Sequence, residues 1–277
     1  MNIQEIYYAY NLLRNEFPFQ NYLDPFGEGI CYVVSQVCGL MPQRGRLLDI
    51  GCGPLDKTAL FAKMGFLCSA CDDFGDQWHR EGENFKRICD FASLQNITLY
   101  IQNTNDNSIP FPENSFDVVV ILDVIEHLHE SPRSILNIAG KALKVGGICV
   151  ITMPNSVNFL KRIKVLLGKS NYPDIRGFYY SDGQWRGHVR EYTLSEAMDI
   201  IRWNGYDIIK AQTYHGMLHK KVHSDVSRHL FRCLTTLVPT LRDSLLVIAT
   251  KNEGWLPKKY SGKDFREAIN PFIGDIM

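Results

Sequence analysis

The chain lacks an excess of charge of either sign. Its 277 residues hold 30 Lys+Arg and 30 Asp+Glu, whereas a nucleic-acid binder ordinarily shows a basic surplus. No DNA partner is expected. No stretch approaches the ~18 apolar residues that a membrane-spanning helix requires. No cationic segment followed by an apolar core opens the sequence, so no signal peptide is expected. Internal repeats and low-complexity tracts are absent. The 8 cysteines do not cluster, and several fall inside predicted strands, where a free thiol behaves as a small apolar residue. That pattern reads as a reducing, cytoplasmic protein. Cys68 and Cys71 form a C-x-x-C, but on a strand they point to opposite faces, so packing rather than metal binding is expected of them.

What is present is an alternation of strands and helices. Two helices are predicted first, over residues 3–13 and about 27–40, as an N-terminal cap ending near 44. "GRLLDI" reads as a buried strand, Asp56 to Met64 as a helix, and "GFLCSACDD" as the second strand. A helix over 78–93 and a strand over 97–102 follow. "SFDVVVILD" at 115–123 has the continuous apolar character of a strand buried on both faces. Residues 131–144 read as a helix closed by "KVGG", and "ICVITMP" at 148–154 as the fifth strand. The rhythm then breaks. Residues 155–193 hold a short basic helix and an aromatic loop. "TLSEAMDIIRWNG" reads as a helix capped by Thr193 and Glu196. Two closing strands, "YDIIKAQTYH" and "DSLLVIATK", flank a helix of roughly 222–238, and 251–277 form a tail. Such alternation implies a parallel sheet with helices on both faces.

In an open α/β sheet, ligands sit beyond the carboxyl ends of the strands. "LLDIGCGP" places Gly51 and Gly53 there, where absent side chains let backbone approach a ligand. A dinucleotide site would need a third glycine at the place of Asp56. Asp49 would also face the negative pyrophosphate, and suits a ligand carrying a cationic amine instead. With "CSACDDF", "IPFPENSFDVVVILDVIEHL", "LKVGGICVITMPN" and "HVREYT" in order and spacing, residues 45–250 resemble the class I S-adenosylmethionine-dependent methyltransferases. The resemblance implies a Rossmann-like, seven-stranded, mostly parallel sheet with the last strand antiparallel. It implies S-adenosylmethionine as cofactor. Asp49, Gly51 and Gly53 would cradle its methionine part. Asp72, or Asp73, would take the ribose hydroxyls, Asn105 or Asp106 the adenine, and Asp123 would lie beside the transferring methyl.

Within that resemblance, several classes are set aside. No [DNS]-P-P-[YFW] follows the fourth strand, no Pro-Cys pair supplies a cytosine-attacking thiol, and no C-x-x-x-C-x-x-C supports radical chemistry. Methylation of an oxygen on a small molecule or a sugar or polysaccharide intermediate is expected. Asp123, Glu126 and His127 resemble a set that holds a divalent metal in ubiquinone-biosynthesis and small-RNA O-methyltransferases. There the first position is Glu, one methylene longer. The reading taken here is structural, with no metal. A metal-assisted quinone or RNA enzyme, and a non-catalytic binding protein, are the alternatives. Asp123, His127 and His188 are the candidate catalytic residues, His188 as the base that accepts a hydroxyl proton. Tyr172, Phe178, Tyr179, Tyr180 and Trp185 are expected to wall the acceptor. Basic and histidine residues within 219–232 suggest contact with a membrane or an anionic substrate.

Overall fold

A computed structural model describes residues 2–101, 110–217 and 225–273. Seven strands form one sheet: β1 (Arg46–Ile50), β2 (Leu67–Asp72), β3 (Thr98–Ile101), β4 (Phe116–Leu122), β5 (Leu143–Pro154), β6 (Asp207–Tyr214) and β7 (Ser244–Thr250). Their order is β3-β2-β1-β4-β5-β7-β6. The first five run parallel, and β7 lies antiparallel between β5 and β6. This is the sheet expected from the resemblance.

The strand period of two sorts side chains onto two cores. Leu47, Val118, Val120, Val150 and Ile248 face one, and Leu48, Val119, Ile121, Ile151 and Val247 face the other. Burying one such side chain contributes about 1.5–3 kcal/mol. The first core is covered by α1 (Ile3–Glu16), α2 (Gly27–Leu40), α3 (Asp56–Lys63) and, across the loops, α5 (Asn84–Leu94). The second is covered by α6 (Arg133–Ala142), α9 (Leu194–Trp203) and Trp255. Cys68 faces the first core and Cys71 the second, both buried, so the C-x-x-C thiols do not converge. Thr193 and Glu196 form the expected capping box of α9.

Three segments depart from the sequence reading. The helix expected over 78–93 is two helices, α4 (Gln77–Arg80) and α5. Gly82, at φ +55°, takes a left-handed conformation that a helix cannot continue through. "KVGG" does not close a helix. The helix ends at Ala142, and Leu143–Pro154 is one long strand with a shift of register near its start. Gly146, at φ +77°, makes that bulge. The insert after β5 holds two short helices, α7 (Phe159–Leu166) and α8 (Ile175–Tyr179), where the second was expected as loop. Beyond α9 come α10 (Asp225–Leu237) and, in the tail, α11 (Gly262–Ile273).

Candidate active site

A cleft of about 1110 Å³ opens beyond the carboxyl ends of β1, β4 and β5, where an open α/β sheet places its ligand. Its floor is the turn after β1. Gly51 has φ +77°, and a Cβ there would lie 2.5 Å from Val124 Cγ2. Gly53 has φ +52°, and its N–H donates to Asp72 Oδ2 at 2.8 Å. Gly51→Ala is therefore expected to be strained twice, by backbone and by contact. The left-handed conformation alone costs about 1–2 kcal/mol, enough to lower Tm by roughly 3–8 °C in a calorimetric scan. An unchanged melt would mean that the turn relaxes freely.

Four acids lie near the floor in different surroundings, and of them only Asp123 lines the cleft. Asp49 is buried on the α3 side of β1, and its Oδ2 accepts a hydrogen bond from Thr58 Oγ1 at 2.6 Å. It sits beneath the glycine turn and does not itself line the cleft. Burial pushes its carboxyl up to about 7, against the Thr58 bond and Lys57, which pull it down. Asp72 closes β2 and accepts backbone N–H bonds from Gly53 and Phe74, the latter at 2.7 Å. Burial raises it as well. Asp73 is drawn elsewhere: it accepts from Gly75 N and meets Arg186 Nη1 at 3.1 Å. Asp123 ends β4 at φ +59°. It is held by Lys57 Nζ at 2.9 Å and by Thr152 Oγ1 at 3.0 Å. Burial would raise Asp123, but Lys57 and Thr152 outweigh it and hold the carboxylate below its usual range. Asn105 and Asp106 lie outside the described residues.

Lys57 was not singled out from the sequence. Its signal was its place: a cation in the first turn of α3, where the helix dipole disfavours it. Asp123 supplies the compensating charge, and Lys57 Nζ also donates to the Leu122 carbonyl at 3.1 Å.

Beside Asp123, a single 3-10 turn (Ile125–His127) presents Glu126 and His127. Segment 185–190 of the insert docks onto it. Val189 N donates to the Glu126 carbonyl at 2.7 Å. His127 Nδ1 donates to Arg186 O at 2.7 Å, and His129 Nε2 to Trp185 O at 2.6 Å. This docking brings His188 to His127, with ring centroids 4.9 Å apart and edge to face. His188 Nδ1 donates to Glu191 Oε1 at 2.7 Å, and Glu191 Oε2 is bound by Lys161 Nζ. Both Nδ1 atoms are engaged as donors, so in the neutral rings Nε2 carries the lone pair. Burial, helped by His127 and Lys161, lowers His188 to about 4. Glu191 and its tie to Lys161 were missed, because only the fold brings α7 against the segment that precedes α9.

Glu126 is the least satisfied group of the site. It is 1% exposed, and neither carboxylate oxygen has a hydrogen-bond partner. Burial first, then the Asp123 charge, pushes its carboxyl well above the usual range. One ligand atom each from Glu126, His127 and His188 lies within 4.8 Å of the others. The set expected from the motif was Asp123, Glu126 and His127. The fold instead commits Asp123 to Lys57 and draws in His188.

The aromatic wall expected from the insert does not form. Tyr172, Phe178, Tyr179 and Tyr180 are exposed and none of them lines the cleft, and Trp185 packs on Phe178. Apolar side chains in the cleft wall come instead from Ile30, Val33 and Val34 of α2, Leu160 and Ile163 of α7, and Met217. Of the expected basic face, 218–224 lies outside the described residues, and the exposed Arg232 pairs with Glu28 at 3.0 Å.

Comparison with known proteins bears on the family and the fold. Residues 27–211 match the family model described as a methyltransferase domain. Among curated proteins, a ubiquinone biosynthesis O-methyltransferase of Caulobacter vibrioides is 32% identical over 110 residues, 39% of this chain and 40% of that protein. One from Caulobacter sp. (strain K31) is 30% identical over 119 residues, 42% of this chain and 44% of its own length. The chain thus spans under half the length of these curated relatives. A solved SAM-dependent methyltransferase from Archaeoglobus fulgidus shares the fold, with TM-score 0.51 and 18% identity over 87% of this chain and 99% of that one.

Proposed function

Because the chain belongs to the methyltransferase-domain family, we propose that it moves a methyl group from S-adenosylmethionine to a hydroxyl oxygen of an apolar small molecule. The observation that carries this reading is His188: a half-buried imidazole whose pKa burial lowers to about 4, oriented by Glu191, at the cleft edge beyond the strand ends. S-adenosylmethionine supplies an electrophilic methyl on a sulfonium. The residues present fit such a cofactor. The open space where a Cβ of Gly53 would stand leaves room for it, and the Asp72 carboxylate at the end of β2 is a group that could accept from a ribose diol. The negative Asp123 and buried Asp49 suit a cationic ligand.

The chain's own part in the reaction is positioning and proton removal. The apolar side chains of α2 and α7 hold the acceptor and exclude water, and orientation alone lowers a barrier by about 7–11 kcal/mol. His188 Nε2 would receive the proton of an acceptor hydroxyl whose oxygen takes the methyl that the sulfonium would supply. Glu191 keeps the ring in the tautomer that can do so. A sugar acceptor loses its motive, since the aromatic residues that suggested it stand outside the cleft.

A second reading rests on the unsatisfied Glu126. Glu126, His127 and His188 are acceptable ligands for Mg²⁺ or Mn²⁺. A cation there would lower the pKa of the acceptor hydroxyl, and His188 would then be a ligand rather than a base. Turnover that EDTA abolishes and Mg²⁺ restores would decide for it; EDTA-insensitive turnover decides for the base. The proposal itself is tested by calorimetric titration with S-adenosylhomocysteine, using NAD as control and Asp72→Ala beside wild type. Binding weakened at least about tenfold by the substitution, with no NAD signal, is expected. NAD binding would sink the reading. Methyl-transfer assays over catechols, nucleotide sugars and short RNAs then identify the acceptor.

A further inference from the structure

The insert between β5 and α9 carries an amphipathic arm that the described residues cover only in part. None of the residues of α7 or α8 is buried. In α7 and at its C-cap, Phe159, Leu160, Ile163, Leu166 and Leu167 share one face at helical spacing. Leu160 and Ile163 line the cleft, and Phe159 meets Phe231 of α10. The face then runs on into open space, with Leu166 80% exposed and Leu167 68%. Ile175, Phe178, Tyr179 and Tyr180 of the same insert are exposed as well. A chain in water does not ordinarily leave so many large apolar groups together.

Charge selects the occupant. The sequence as a whole is balanced at 30 and 30, yet residues 159–180 hold Lys161, Arg162, Lys164, Lys169 and Arg176 against Asp174 alone. Lys164 and Lys169 have no carboxylate within 4.0 Å among the described residues. Two copies meeting through this face would set like charges together. Apolar side chains mixed with lysines and tyrosines suit the boundary between anionic headgroups and acyl chains.

We propose that residues 159–180 form an interfacial anchor that docks on an anionic lipid surface, with the acceptor mouth of the cleft against it. Leu160 and Ile163 belong to both surfaces, so an apolar acceptor dissolved in the membrane would pass along one continuous apolar face into the cleft. No helix among the described residues is long and apolar enough to cross a membrane, so the contact is one of lying on the surface. The docking itself does not depend on the methyltransferase reading; only the route of the acceptor does.

The test is co-sedimentation of the full chain with phosphatidylglycerol–phosphatidylcholine vesicles, against pure phosphatidylcholine. The chain is expected to partition onto the anionic vesicles and to be released by salt. K164E/K169E should weaken partitioning at least about tenfold, and L166S/L167S should weaken it independently. Melting temperature and S-adenosylhomocysteine affinity are measured on each variant, to confirm an intact fold and cleft. Equal partitioning on both vesicle types, or variants that partition like wild type, would overturn the proposal. So would a dimer in sedimentation velocity that L166S/L167S dissolves without lipid. Vesicle binding with no cofactor binding would overturn the function and leave the anchor standing.

Discussion

Replacing His188 by alanine is expected to lower kcat by about 10²–10⁴-fold, the usual contribution of a general base. S-adenosylhomocysteine affinity should hardly change. The pH profile carries more information than the loss. An ordinary imidazole would lose its proton-accepting form below about 6.5. His188 is held to about 4 by burial, by His127 and by Lys161. Wild-type turnover should therefore stay level from neutrality down to about pH 5, with no limb near 6.5. Glu191→Gln keeps an oxygen for Nδ1 but removes the charge facing Lys161. It should lower kcat by less than His188→Ala does, leaving KM nearly unchanged. A His188→Ala enzyme within about twofold of wild type would remove the base from the mechanism.

Asp49→Asn is expected to flatten the dependence of stability on pH. In the folded chain burial holds the Asp49 carboxyl near 7, against 3.8 when exposed. The folded state thus binds this proton more tightly than the unfolded one. Its contribution to stability is full below about pH 4, is lost as pH rises towards 7, and is constant above. The loss is on the order of 4 kcal/mol across that window. The asparagine keeps the shape and an acceptor for Thr58 but cannot ionise, so denaturation at pH 5 and pH 8 should give it a smaller difference than wild type. Glu126, raised by burial as well, tilts stability in the same direction and is controlled with Glu126→Gln. Equal differences in wild type and Asp49→Asn would show that Asp49 is already ionised when folded. A cation bound above the turn favours the ionised carboxylate, so cofactor affinity should rise over the same pH range.

Much of this was readable before the fold was seen. Apolar runs ending in Asp49, Asp72 and Asp123 gave the strands, because strands buried on both faces have few other ways to be written. The glycine turn followed, because φ near +77° and a close neighbour at Gly51 demand that residue. What escaped depends on distant partners. Lys57 makes sense only beside Asp123, 66 positions later in the sequence. Glu191 acts through a lysine on another helix, and His188 reaches His127 only because the insert folds back over the 3-10 turn. Aromatic residues in the insert suggested a wall, but composition does not say which way a side chain faces. "KVGG" was misread because lysine then glycine ends a helix and makes a bulge equally well.

The antiparallel β7 has an effect on how such a molecule can diversify. Because β7 runs against its neighbours, its first residues return to the same rim where β5 and β6 end. The segments that follow β5 and β6 thus both leave from the rim proposed to receive the acceptor, while short loops after β1 and β2 lie where the proposed cofactor would sit. Lengthening a loop adds closure entropy only slowly. Two segments can be exchanged or extended, changing which molecule is accepted, without disturbing a single residue of the glycine turn. The sheet order sets the glycine turn apart from the two segments that follow β5 and β6.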